Sequence, residues 1–169
     1  MSDRNRRGAR LTYLLAADGR DDDAAIAFAR YRDHLAASRG SFPPSAYALA
    51  TSDWYFNFAD HRCPHDGWLE SLSVTELGSG AQSEIRTVSM QIRLLGAYHD
   101  GYVELVYPRV FRYRLTVNDG KRGHRDWRYD ELRLSGDGHV IHEIEWHGLN
   151  EIGCWVIEAS DVEFRWTPL

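Results

Sequence analysis

Seven apolar side chains between residues 103 and 117 (Val103, Leu105, Tyr107, Phe111, Tyr113, Leu115 and Val117) share one parity, broken only by Arg109 beside Pro108. A run of period two this long cannot be a helix, whose buried face recurs every three or four residues. It predicts a long half-buried strand, bent or bulged where Pro108 cannot donate to a ladder. The same period governs the chain from Trp54 onward. It predicts a short strand at 54–58 and longer ones at 68–74 and 85–95, then 127–134, 140–147, 154–157 and 162–166. Gly78-Ser79-Gly80, Asp100-Gly101, Asn118-Asp119-Gly120 and Gly136-Asp137-Gly138 are turn signals between them, and short turns imply antiparallel neighbours.

Before residue 54 the period changes. Ala24, Phe28, Tyr31 and Leu35 recur at spacings of four, three and four, which is one buried helical face. Asp21-Asp22-Asp23 places carboxylates where a helix N-terminus offers free amides and the positive end of its dipole. Gly40 ends this helix, Phe42-Pro43-Pro44 cannot continue it, and residues 45–50 suit a second, shorter one. The expected fold class is α+β in a single domain over residues 1–169. Residues 1–50 are mainly helical, and these helices pack on a curved, mostly antiparallel sheet formed by 54–166. About seven strands joined by short turns also allow a partly closed barrel.

Composition narrows the function. A chain of 169 residues, 43% hydrophobic and 27% charged, buries a core without staples. No apolar run approaches the ~20 residues of a membrane span. The basic start passes through a short apolar stretch at 11–17 into Asp18-Gly19-Arg20-Asp21, a poor secretion signal. Two cysteines, Cys63 and Cys154, make no disulfide framework. A cytoplasmic setting follows as the expectation. The net charge of −5 is unevenly spread. Arg109, Arg112, Arg114, Lys121, Arg122, Arg125 and Arg128 cluster in the middle, and acids dominate from Glu131 onward. The plainest account is complementary charges pairing across neighbouring strands.

The densest group of reactive side chains is Asp60-His61-Arg62-Cys63-Pro64-His65-Asp66. Residues two apart on an extended segment share a face, so His61, Cys63 and His65 can offer imidazole and thiolate to one ion, with Asp66 beside them. This gives the alternative reading, a metal-dependent hydrolase using His61, Cys63, His65 and Asp66. Against it stand Pro64 and the lack of a second ligand pair, since His142 and His147 fall on opposite strand faces. The plainer account has His65 and Asp66 turning the chain into a strand that Trp68 and Leu72 anchor in the core. Cys63 lacks the surroundings of a cysteine nucleophile. The pairs Glu143/Glu145 and Asp161/Glu163 fit the solvent-facing side of a sheet. No glycine-rich phosphate loop occurs, and an acidic chain disfavours nucleic acid.

Recognition of a protein is the remaining class. Six Trp, nine Tyr and 20 basic residues, all Arg except Lys121, supply the side chains that dominate interface energetics. The residues expected to carry it are Arg112, Arg114, Arg125, Trp127, Glu143 and Glu145. No catalytic residue and no cofactor is assigned. The expected partner is an intracellular protein rather than a membrane, and a homodimer through an exposed sheet edge stays open.

Three segments carry a resemblance: His65-Asp66-Gly67-Trp68-Leu69-Glu70-Ser71-Leu72; then Ile92-Arg93-Leu94-Leu95 followed by Asp100-Gly101-Tyr102-Val103-Glu104-Leu105-Val106-Tyr107; then Asp161-Val162-Glu163-Phe164-Arg165-Trp166. Their pattern, over about residues 54–166, resembles small, mostly uncharacterised bacterial proteins with a helical start and a curved antiparallel sheet. Some proteins of this build look like immunity proteins that neutralise a partner toxin. The resemblance implies a non-catalytic binding protein and carries over no catalytic residue.

Overall fold

The computed structural model describes residues 13–15, 21–117, 121–148 and 152–169. Helices α1 (Asp21–Ser38) and α2 (Pro44–Ala50) precede eight strands. These are β1 (Trp68–Ser79), β2 (Ile85–Leu95), β3 (Gly101–Tyr107), β4 (Val110–Arg114), β5 (Asp126–Leu134), β6 (Val140–His147), β7 (Ile152–Ala159) and β8 (Glu163–Pro168). Every pairing is antiparallel, and the order across the sheet is β4-β7-β6-β5-β1-β2-β3-β8. The end strands β4 and β8 do not pair with each other, so the sheet is open and the expected barrel closure is not met. The α+β, antiparallel character is as expected. No helix among the described residues is long and apolar enough to cross a membrane.

The sheet has a weak seam. β1 and β5 meet through one residue pair, Trp68 with Asp126, so two four-strand halves splay from that point. Helix α2 packs on β5 of one half and β8 of the other. Asp161, just before β8, accepts the Ala46 and Ser45 amides at the start of α2 (2.8 and 3.3 Å). Helix α1 covers the β5 edge that β1 leaves open: the Tyr31 hydroxyl donates to Leu132 O (2.9 Å) and accepts from Leu132 N (2.7 Å). One side chain thus satisfies both backbone groups of Leu132 on the side away from β6, where no strand lies among the described residues.

The helical stripe behaves as its spacing requires. Tyr31 and Leu35 are buried with Ala27, and Phe28 packs against them. The helix begins at Asp21, while the side chains of Asp21–Asp23 lie outside the described residues, as do the turn at 118–120 and residues 1–12. Residues 54–58 are not the expected strand. Successive backbone bonds (Tyr55 N to Ser52 O, Asn57 N to Trp54 O, Asp60 N to Asn57 O) coil them into turns, which lets Trp54, Tyr55 and Phe56 point in different directions into the aromatic core.

The long alternating run does bend at its proline, ending β3 at Tyr107 and starting β4 at Val110. The bend costs it its parity. Val103, Leu105 and Tyr107 are fully buried, but beyond the bend Val110 turns inward and Phe111 and Tyr113 face solvent. At the other end of β3, a Cβ on Gly101 would overlap the Trp166 indole, so only glycine lets β8 close against the turn. Three tryptophans, Trp127, Trp146 and Trp155, fill the middle of the second half with centroids 5.3 and 5.0 Å apart. Complementary charges do pair across strands, as Arg93 with Glu104 (3.3 Å) and Arg112 with Glu158 (3.6 Å), each pair directly opposite in register.

Candidate functional site

Residues 60–68 fold as turns that fasten β1 to β5. Cys63 N donates to Asp60 O and Gly67 N to Pro64 O (3.0 and 2.9 Å). Asp66 takes a φ of 61°, the left-handed region that Asp tolerates. Asp66 N then donates to Trp127 O (2.7 Å) and Trp127 N to Gly67 O (3.0 Å). The turning role expected of His65 and Asp66 is therefore what they perform. Trp68 departs from expectation: it is exposed, with Nε1 donating to Asp126 Oδ1 (2.9 Å), because β1 swings clear of the core where it leaves β5.

The four candidate ligands each have other partners. His61 is bonded to the Asp100 carboxylate and stacks on Tyr98 (4.1 Å). Cys63 faces inward, its thiol donating to Tyr55 O (2.9 Å), and burial pushes that thiol up to about 12, far from a working thiolate. His65 stacks on Phe58 (3.8 Å) with Nε2 facing Arg128 Nη1 (3.2 Å). Burial lowers its pKa, so the ring is held neutral. Asp66 Oδ1 lies 3.3 Å from His65 Nδ1 and 3.4 Å from Arg128 Nη1. Among the described residues these side chains form no grouping of three donors around one point.

The most ordered polar groups lie inside. Tyr107 donates its hydroxyl to His142 Nδ1 (2.7 Å), and His142 Nε2 donates to Asp130 Oδ2 (2.8 Å). Asp130 also accepts from the Tyr55 hydroxyl (2.6 Å) and Trp127 Nε1 (3.0 Å). Hydroxyl, imidazole and carboxylate in series is the arrangement that activates a nucleophile in hydrolases. Here all five side chains are at most 2% exposed, and desolvation holds the Tyr55 and Tyr107 hydroxyls well above the usual phenol range. Three surface clefts among the described residues are lined by other side chains. The arrangement acts as a self-satisfied network joining β3, β5, β6 and the 51–57 turns.

On the opposite face of β5 and β6, Glu131 and Glu143 sit directly across from each other, and both are buried. Arg133 lies between them, Nη2 2.7 Å from Glu143 Oε2 and Nε 3.9 Å from Glu131 Oε1. Glu131 Oε2 accepts the amides of Tyr13, Leu14 and Leu15 (2.9, 2.8 and 3.5 Å). The solvent-facing role expected for Glu143 is thus corrected, because the sheet is covered on both faces here. Cys154 Sγ, 3.4 Å from Glu143 Oε1, belongs to the same group.

One donor set escaped the sequence reading. Asp137 on the β5–β6 turn, His139 beyond it and Glu158 on β7 bring three potential ligand atoms within 4.8 Å of one another. The Asp-x-His pair is visible in the sequence, but Glu158 joins it only through the β6–β7 register. Each carboxylate oxygen of Glu158 already has a positive or proton-bearing neighbour, His139 Nδ1 at 3.1 Å and Arg112 Nε at 3.6 Å, so a cation there meets competition.

The expected partner-binding residues divide sharply. Arg112 and Arg114 are exposed on β4, an edge strand paired, among the described residues, only with β7. Arg125 is exposed beside a hollow of about 320 Å³ lined also by Trp68, Arg122 and His124. Glu145 is half-buried and bonded to His147 (2.8 Å). Trp127, 0% exposed, and Glu143, 2% exposed, are core residues and cannot present themselves to a partner. The sequence does not show that Phe111 and Tyr113 join the arginines on the surface, since their parity matches Val103 and a bend expected at Pro108 does not reveal that it exchanges the buried and exposed positions. No protein-family model, no curated protein and no solved structure matches this chain.

Proposed function

We propose that this protein is a non-catalytic binding domain that takes an acidic segment of a protein partner along β4. The observation that carries the reading is the run Phe111-Arg112-Tyr113-Arg114, four consecutive exposed residues on a strand with one edge unpaired among the described residues. An open edge offers backbone hydrogen bonds to an extended chain. Arginine and aromatic side chains on it supply the groups that most often dominate binding energy, and the charge selects an acidic partner and speeds its arrival. Sequestration of the chemically versatile residues supports a binding role: Cys63 is inert, and the Tyr107–His142–Asp130 series is enclosed. The resemblance to immunity-type proteins supplies a setting, in which the domain occupies and neutralises an intracellular bacterial protein in the cytoplasm.

The test uses a fluorescent extended peptide of alternating Glu and Val, titrated by anisotropy at low and moderate salt. Binding is expected, weakening with ionic strength, and R112E/R114E is expected to reduce affinity at least about tenfold when read well below the melting temperature, which falls because a carboxylate then faces Glu158. Affinity unchanged by that double reversal overturns the β4 reading. The metal-dependent hydrolase alternative is tested separately by elemental analysis of protein purified without chelator. One equivalent of metal lost on replacing His61 and His65 would revive it.

A further inference from the structure

Three elements converge on Asp137, His139 and Glu158. The β5–β6 turn carries the first two and is tied through Ser135. The Ser135 Oγ accepts the amides of Asp137 and His139 (3.3 and 3.1 Å), and its backbone accepts from Gly138 N (3.1 Å) and donates to His139 O (2.8 Å). Gly138 supplies the left-handed φ of 79° that this turn requires. β4 holds the imidazole. Its register shifts between Val110 and Arg112, and the extra residue, Phe111, stacks on the His139 ring, with centroids 3.8 Å and planes 12° apart. β7 holds the third donor. Glu158 lies opposite Ile141 of β6 and Arg112 of β4, and its side chain is only 10% exposed.

We propose that these three side chains bind one zinc-class divalent ion. One imidazole and two carboxylates form a mixed nitrogen and oxygen set, which suits zinc and its transition-metal neighbours, whereas calcium and magnesium prefer oxygen alone. Bonds of ~2.0–2.2 Å place tetrahedral donors about 3.3–3.5 Å apart. The donor atoms lie within 4.8 Å of one another, so a contraction of at most about 1.5 Å closes the set. His139 Nδ1 and Glu158 Oε1 already stand at 3.1 Å. The remaining movement falls to Asp137, which is exposed and whose carboxylate has no hydrogen bond or ion pair among the described residues. Three protein ligands leave the fourth position to water.

The neighbours that compete for Glu158 yield to such an ion. It replaces the proton that Nδ1 presents to the carboxylate, and the neutral ring keeps its one proton on Nε2. Arg112 Nε, 3.6 Å from Glu158 Oε2, is beyond a hydrogen bond, and the side chain is 81% exposed. A pair of that kind contributes little, and Arg112 is free to swing into solvent. The carboxylate, withdrawn from water, then gains a doubly charged partner in place of a distant single charge.

Isothermal titration of zinc chloride into the chelator-treated, dialysed full-length protein tests the site. Roughly one saturable equivalent in the micromolar range is expected, with magnesium chloride giving none, and the melting temperature should rise with added zinc. D137N changes an exposed residue, and H139F keeps a ring against Phe111. Each should weaken zinc at least about tenfold while melting cooperatively. R112Q removes the competitor and should tighten zinc severalfold, a gain that a merely structural Glu158 would not give. H61A/H65A should bind zinc as wild type does, which separates this site from the hydrolase alternative. Absence of saturable binding, affinity unchanged in both D137N and H139F, or loss of the zinc in H61A/H65A each overturns the proposal. Unaltered affinity in R112Q would take Glu158 out of the ligand set and overturn it as well.

Discussion

Asp130 is the residue on which the interior turns. It accepts from Tyr55, Trp127 and His142 in a space closed to water, and His142 passes the link on to Tyr107. An unpaired buried donor costs about 1–3 kcal/mol, and Asp130→Ala would strand three. The loss expected is ~3 kcal/mol or more, a large share of the ~5–15 kcal/mol that holds a typical domain together. Tyr107→Phe removes only the terminal bond and should cost about 1 kcal/mol. Urea unfolding checks this through the two midpoints, with slopes unchanged. Equal shifts for both variants would show that Asp130 is not the hub. The sequence showed the alternation of Val140, His142, Ile144 and Trp146 and so placed His142 on the core side of β6. It could not show that Asp130, two residues into another strand's bulge-shifted register, would be its acceptor.

At the scale of elements, the seam between β1 and β5 decides what the helices must do. Beyond Asp126 the β5 edge away from β6 has no strand neighbour among the described residues, and Tyr31 stands in for one at Leu132. Thr116 does the same for Cys154, its Oγ1 donating to Cys154 O (3.0 Å) and accepting from Cys154 N (3.2 Å). Tyr31→Phe keeps the ring packing and deletes both bonds at Leu132. It should cost about 1–2 kcal/mol and raise exchange of the Leu132 amide roughly tenfold. Hydrogen exchange that leaves Leu132 as protected as in wild type would show that packing alone shields the edge. Elements with a long uninterrupted pattern were legible to the residue, as with β2 at 85–95 and the break at Pro108. The failures share a cause, which is that pattern reports a side chain's neighbours in its own strand only. Phe111 and Tyr113 keep the parity of Tyr107 but lose its environment, because β4 lies at the far end of the sheet order from β3. Glu143 reads as wet because nothing in β6 reveals that Arg133 and the backbone of residues 13–15 cover the outer face. Residues 54–58 alternate by accident of aromatic content, and consecutive turns serve those rings better than a strand would.

For the molecule as a whole, the buried titratable groups pull stability in opposite directions with pH. Desolvation lowers the pKa of His34, His65 and His124 from the ordinary 6.5. A histidine with a depressed folded pKa contributes stability that is fully present above 6.5 and lost as pH falls through the folded values. Glu131 has the contrary sign. Desolvation raises it from 4.5, more than the Tyr13, Leu14 and Leu15 amides and Arg133 can offset. Its contribution is therefore full below 4.5 and lost as pH rises through its folded value. Both effects meet at the docking of residues 13–15, since His34 stacks on Tyr13 (4.9 Å) while Glu131 holds the amides beside it. Net melting temperature against pH should consequently be shallow between about pH 4.5 and 6.5, the two slopes partly cancelling. Glu131→Gln separates them. The amide oxygen still accepts the backbone N–H groups, but the cost of ionising a buried carboxyl is gone. The melting temperature of the variant relative to wild type should rise steadily as pH increases from 4.5, and the variant alone should show the uncompensated acid-side decline of the histidines. A difference that stays flat or falls with pH would mean that Glu131 ionises in the folded protein as easily as in the unfolded chain, with the three amides and Arg133 fully repaying its burial.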